Sequence, residues 1–183
     1  TQLGYDKMTD KVVLCYSDGK IDLIDKEGNI TPMLDLYQKA SSISVSVNHL
    51  FIHNGKAYLS MAFGIVVLDL DKAEVKDTYY IGENASNVEV KAVAILNDSI
   101  FALSPTNLFA ASLKTNLVDY NFWHNYALPE GDNISALFAE YDQLYIKQGN
   151  NLKIRNNNDW KVVADTLSWV SCNDGHIIAY QYG

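Results

Sequence analysis

The sequence predicts an all-β propeller built from four-stranded antiparallel blades. Three observations carry that prediction: a repeat of about 44 residues, a Gly or Asn break after the same strand of every unit, and no window of ten or more residues with a sustained 3.6-residue apolar pattern. The repeat is seen by aligning the runs that follow Asp10, Gly55, Asp98 and Asp142. Their equivalent positions Val12, Ala57, Ile100 and Leu144 lie 45, 43 and 44 residues apart. A steady period of this size marks repeat architectures. A helical solenoid would need the missing 3.6-residue pattern, and a β-sandwich gives short strands without a constant interval. Twelve tyrosines and many Val and Ile residues favour strands.

The first unit, 1–36, holds the run Lys11 to Tyr16, a strand from Gly19 to Asp25 and a more polar strand from Ile30 to Leu36. The second unit, 43–81, places Leu50 to Ile52 before Asn54-Gly55, a pair that accepts the positive φ of a tight hairpin. The strands Lys56 to Ser60, Gly64 to Leu70 and Val75 to Ile81 follow. In the third unit, 88–123, the order is Val93 to Leu96, the turn Asn97-Asp98, Ser99 to Ser104, Asn107 to Ser112, and a closing strand from Leu117 to Trp123. The fourth unit, 134–164, reads Leu137 to Ala139, Gln143 to Gln148, Asn151 to Arg155 and Trp160 to Ala164. A partial fifth unit, 167–183, begins early, because only Asp165-Thr166 separates it from the fourth. The earlier links, Tyr37 to Ser42, Gly82 to Asn87 and His124 to Asn133, are longer and uneven. Connections that vary while strands keep register are where binding faces are built.

The chain opens on Thr1-Gln2 without Met and stops at Tyr182-Gly183 inside an apolar run, so it is expected to be part of a larger ring. An open arc would expose strand edges. Either the ring closes small, with Thr1 to Asp6 and the terminal strands sharing a blade, or the arc pairs edge to edge with a second copy as a homodimer.

A net charge of −8 excludes nucleic acid and anionic bilayers as main partners, since both need clustered Lys and Arg. The longest uncharged apolar run, Met61 to Leu68, is too short to span a membrane, so no direct membrane insertion is expected. Cys15 and Cys172 sit in apolar strand-like runs and read as inert, small hydrophobes. His49, His53, His124 and His176 lack metal-ligand spacing. No nucleophile elbow, phosphate loop, zinc-protease or calcium-loop pattern occurs. Asp22, Asp25, Asp69 and Asp71 read as solvated strand ends. Four Asn-x-Ser/Thr triplets, at Asn29, Asn84, Asn97 and Asn133, fall in predicted turns and carry little information. Trp123, His124, Tyr126, Trp160 and Trp169 offer stacking surface for a sugar or peptide, although large aromatics more often anchor packing. No catalytic, cofactor-binding or metal-binding residue is assigned, no cofactor is implied, and the binding residues are left unassigned.

The stretch from Gly64 through Leu68-Asp69-Leu70-Asp71 to Tyr79-Tyr80-Ile81-Gly82 resembles the blades of Bacteroidetes surface propellers, above all the amino-terminal propeller of PorZ-like proteins of type IX secretion. Tyr16-Ser17-Asp18-Gly19-Lys20-Ile21, Asn107 to Ala111 and Leu117 to Trp123 support it. Sensor propellers of hybrid two-component regulators share the hairpins and the repeat length. The resemblance implies a non-enzymatic, exported protein of the periplasm or outer-membrane surface, which matures or attaches secreted cargo and has a protein or lipopolysaccharide-type glycan as partner. A ligand-sensing propeller, a transport-associated binding protein and a quinoprotein-like or glycoside-cleaving enzyme are the alternatives. No family binding residue maps onto a motif here.

Overall fold

The structure, a computed structural model, describes residues 1–39, 44–131, 133–157, 159–173 and 176–181. Its strands form successive antiparallel sheets, each a meander in chain order. Sheet 1 comprises β1 (Gln2–Asp6), β2 (Lys11–Cys15), β3 (Ile21–Ile24) and β4 (Ile30–Met33). Sheet 2 comprises β5 (His49–His53), β6 (Lys56–Met61), β7 (Gly64–Asp69) and β8 (Glu74–Tyr79). In sheet 3 the strands are β9 (Ala92–Leu96), β10 (Ser99–Leu103), β11 (Asn107–Ser112) and β12 (His124–Ala127). Sheet 4 follows with β13 (Ile134–Glu140), β14 (Gln143–Gln148), β15 (Asn151–Asn156) and β16 (Asp159–Ala164). β17 (Leu167–Asn173) and β18 (His176–Gln181) pair as sheet 5. The aligned positions Val12, Ala57, Ile100 and Leu144 each fall second in the second strand of their sheet.

The turns explain themselves by backbone conformation. Asn54 and Gly55 both take positive φ, 50° and 72°, which joins β5 to β6 with the twist a hairpin needs. Gly64, at φ 149°, opens β7 so close to β8 that a Cβ would stand 2.2 Å from the Tyr79 carbonyl oxygen. Only Gly allows that approach.

The first strands of successive sheets pack against one another along the chain, β1 on β5, β5 on β9, β9 on β13 and β13 on β17. That is the arrangement of propeller blades about a common axis. Hydrogen bonds tie the sheets there: Asn48 Nδ2 donates to the Val90 carbonyl at 2.9 Å, and the Val90 amide donates to the Met61 carbonyl at 2.9 Å. Between the sheets lies the core, in layers. Ala57, Leu59, Val66 and Leu68 pack with Val13, Cys15, Ile21 and Leu23 of sheet 1. Their neighbours Tyr58, Ile65 and Val67 pack instead with Val93, Ile100 and Ala102 of sheet 3. Strands covered on both faces read as near-continuous apolar runs, which is why β6 and β7 show so little polar alternation. Each fully buried Leu or Ile there contributes about 1.5 to 3 kcal/mol of transfer free energy.

Three expectations need correction. The closing strand of the third unit is not Leu117 to Trp123 but β12, His124–Ala127, which pairs with β11 through Ala110. The expected strand is a turn and a short 3-10 segment, Tyr120–Phe122. Asp119 accepts from the Asn121 amide at 2.9 Å, and the Trp123 indole donates to the Leu117 carbonyl at 3.0 Å. These bonds satisfy the local polar groups without a strand partner. Nor do Thr1 to Asp6 and the terminal strands share a blade: β1 pairs with β2, and β17 pairs with β18. The fourth strand of sheet 1 also ends at Met33, short of Leu36.

Candidate functional site

A meander has two ends. One carries the tight turns between first and second strands and the connections between third and fourth strands; the other carries the second-to-third turns and the links between sheets. At the link end, between sheets 3 and 4, lies an open cleft of about 620 Å³. It is lined by Ser104, Pro105 and Thr106 of the β10–β11 turn, by Leu128, Pro129 and Asn133 of the link between the sheets, and by Lys91 and Ser135.

The walls are fixed by buried polar groups. Gln148, at the end of β14, is 7% exposed, and its Nε2 donates to the carbonyls of Gly131 at 2.7 Å and Glu130 at 3.1 Å. Its Oε1 accepts from Lys153 Nζ at 2.6 Å. A single side chain thus holds the 128–133 link against sheet 4, and the Gly149 amide adds a bond to the Asn133 carbonyl at 3.0 Å. Across the cleft, Ser104 Oγ accepts from the Asn107 amide at 2.9 Å and closes the β10–β11 turn. The lining offers hydroxyls, carbonyls, an amide and one ammonium, a set suited to recognition by hydrogen bonds. Sequence reasoning missed Gln148 because an amide at a strand end is ordinary; only its burial marks it.

The aromatic residues singled out in the sequence do not gather into one platform. Trp123 is buried between sheets 2 and 3, 6.1 Å from the Tyr79 ring. Tyr126 and Trp160 are half-buried between sheets 3 and 4, where the Arg155 guanidinium lies 4.5 Å from the Tyr126 ring centre. His124 is exposed at the start of β12, and Trp169 is 51% exposed on sheet 5.

Each polar candidate has a local role. Asp22 accepts from the Tyr16 hydroxyl at 2.9 Å, Asp25 from the Asn29 amide at 2.8 Å and Asp69 from the Lys72 amide at 3.1 Å. The bonds from Asn29 hold the Asp25 carboxyl below its usual range. Asp71 is exposed in the turn that opens β8. Asn84, Asn97 and Asn133 take positive φ, a conformation Asn tolerates better than most residues. Burial lowers the pKa of His49, whose Nδ1 faces the Val93 amide at 3.5 Å, and of His53, which faces Asn54 Nδ2 at 2.9 Å. Among the described residues no three His, Cys, Asp or Glu side chains converge as a metal site. Cys15 and Cys172 are free thiols. Burial pushes both up to about 12, and Cys172 also donates to Glu140 Oε2 at 3.0 Å. A thiol so shifted carries almost no thiolate at neutral pH.

Four-stranded antiparallel sheets packed through their first strands, with a loop-walled cleft at the link end, define a β-propeller module. The family model for the TSS9, PorZ, N-terminal beta-propeller domain matches residues 1–124, and the chain belongs to that family. Among solved structures, PorZ of Porphyromonas gingivalis, described as an essential surface component of the type IX secretion system, matches with a TM-score of 0.80 at 24% identity, over 100% of this chain and 26% of that one. The extracellular domain of a hybrid two-component system from B. thetaiotaomicron matches with a TM-score of 0.71 at 10% identity, over 98% of this chain and 25% of that one. BamB from Moraxella catarrhalis matches with a TM-score of 0.58 at 10% identity, over 94% of this chain and 52% of that one. These likenesses establish the fold. The chain spans about a quarter of the PorZ and regulator chains. No curated protein matches it.

Proposed function

We propose that this chain is a non-enzymatic binding and scaffold propeller of an exported or cell-surface bacterial protein, acting in the attachment of type IX secretion cargo through its link end. The observation that carries the reading is the family match over residues 1–124. It is supported by the link-end cleft, whose lining presents hydroxyls, carbonyls, an amide and an ammonium for hydrogen bonding. The partner is a protein or a lipopolysaccharide-type glycan, both of which present hydroxyl and amide groups to such a surface. The likeness to a regulator's extracellular domain favours a second reading, a ligand-sensing propeller outside the cytoplasm.

The test fills the cleft in the full-length protein. Thr106 is exposed, so Thr106→Trp should leave folding intact while blocking the cleft between the 104–106 turn and the 128–133 link. Surface-attached cargo should fall at unchanged protein level. Undiminished attachment, with the variant folded and present, would remove the link end from the mechanism.

A further inference from the structure

The link-end cleft is shaped by residues that do not line it. Along β14 alternate side chains face sheet 3, and on that face Leu144 and Ile146 are buried in the core between sheets 3 and 4. The next residue on the same face is Gln148, which meets the link arriving from sheet 3. In the other units the equivalent positions, four residues beyond Val12, Ala57 and Ile100, are Tyr16, Met61 and Ser104. The amide is therefore particular to the fourth unit and is not imposed by the repeat.

The orientation of that amide is fixed from both sides. Its Nε2 carries two hydrogens and faces three successive carbonyls, those of Gly131 at 2.7 Å, Glu130 at 3.1 Å and Pro129 at 3.4 Å. Its Oε1 accepts from Lys153 Nζ at 2.6 Å. A flipped amide would set oxygen against carbonyls and nitrogen against an ammonium, so one orientation alone satisfies both sides. Lys153 reaches this place by register. It stands on β15 opposite Ile146, one diagonal step from Gln148 on the same face of sheet 4. Among the described residues its ammonium forms no ion pair, and its bond is to the Gln148 amide. A charge-assisted bond is about twice as strong as a neutral one, and it polarises the amide so that Nε2 donates more strongly.

We infer that Lys153 is a positioning residue of the link-end cleft: through the Gln148 amide it holds Leu128 to Gly131 against sheet 4. Leu128, Pro129 and Gly131 line the cleft, whereas Gln148 and Lys153 do not. The positioning role rests on the reading that the link end binds the partner; the relay from Lys153 to the link does not.

The relay is read in the 183-residue chain by hydrogen exchange of the Gly149 amide. That amide donates to the Asn133 carbonyl at 3.0 Å and so reports whether the link lies on sheet 4. Lys153→Met keeps the aliphatic stem and removes the ammonium. It should speed this exchange about tenfold relative to the amides of β14, the size of one charge-assisted hydrogen bond. Gln148→Met should speed it further, and the double variant should exchange no faster than Gln148→Met alone, because Lys153 acts through the amide. The thermal midpoint of each variant shows that folding is retained. Unchanged exchange in Lys153→Met, as for a lysine that only packs, would overturn the inference. So would additive effects in the double variant, as for a lysine that holds the link directly. In the full-length protein, Lys153→Met should lower cargo attachment, as should Thr106→Trp. If Thr106→Trp lowers attachment and Lys153→Met does not, the positioning role is overturned and the link end keeps its place in the mechanism. If Thr106→Trp leaves attachment intact, the reading of the link end falls, and the exchange experiment still decides the relay.

Discussion

Sheets 2 and 5 are written in the same residue alphabet and live in different surroundings. In sheet 2, β6 and β7 are buried on both faces, alternate side chains reaching sheet 1 and sheet 3. In sheet 5, Val170 packs toward sheet 4 while Trp169, Ile178 and Tyr180, on the opposite face, are 51%, 52% and 61% exposed. Sheet 1 shows the same asymmetry. Tyr5, Val12, Ile24 and Ile30 stand side by side in register across its outward face, and Tyr5 and Ile30 are exposed. The blade sequence is apolar on both faces wherever it occurs; the neighbouring blade is what turns that pattern into stability.

This contrast can be broken in measurable ways. Leu68→Ala, at a fully enclosed position between sheets 1 and 2, should cost about 3 kcal/mol in chemical denaturation. Gly64→Ala should cost about 2 kcal/mol or more, because its Cβ meets the Tyr79 carbonyl oxygen, whereas Gly28→Ala, with open space around it, should cost about 1 kcal/mol from backbone strain alone. The buried Cys15 thiol gives a pH signature. Its folded pKa is raised to about 12, so its contribution is fully present below about pH 8.5, where the unfolded thiol titrates, and is lost as pH rises toward 12. Wild type should therefore lose more stability than Cys15→Ala between about pH 8 and pH 10; equal losses would mean that Cys15 is not enclosed. Ile178→Ala, on the open face of sheet 5, should change stability by no more than about 0.5 kcal/mol.

The fold was legible because blade register repeats: a turn, an apolar run and a Gly or Asn break recur at the same spacing, and Val12, Ala57, Ile100 and Leu144 landed in equivalent places. The reading failed where local polar bonds replaced a strand partner. Leu117 to Trp123 has strand-like composition, but Asn116, Asp119 and Asn121 are turn formers, and the Asp119 carboxylate closes the turn. That same segment lines a cleft with Lys56, Tyr58 and Tyr79 of sheet 2, which depends on a loop length the repeat does not predict. The link-end cleft was legible only as a region, through the uneven links. Gln148 depends on a contact between β14 and the 128–133 link, and residue type carries no trace of it.

The most direct measurement of the central claim, that each blade is stabilised by the blades on either side of it, is native-state amide hydrogen exchange on the 183-residue chain. Amides of β6, β7 and β10 should exchange slowest, through global opening, and those of β17 and β18 faster by about a thousandfold or more. Uniform protection across all the sheets, or a sheet 5 that outlasts sheet 2, would contradict it.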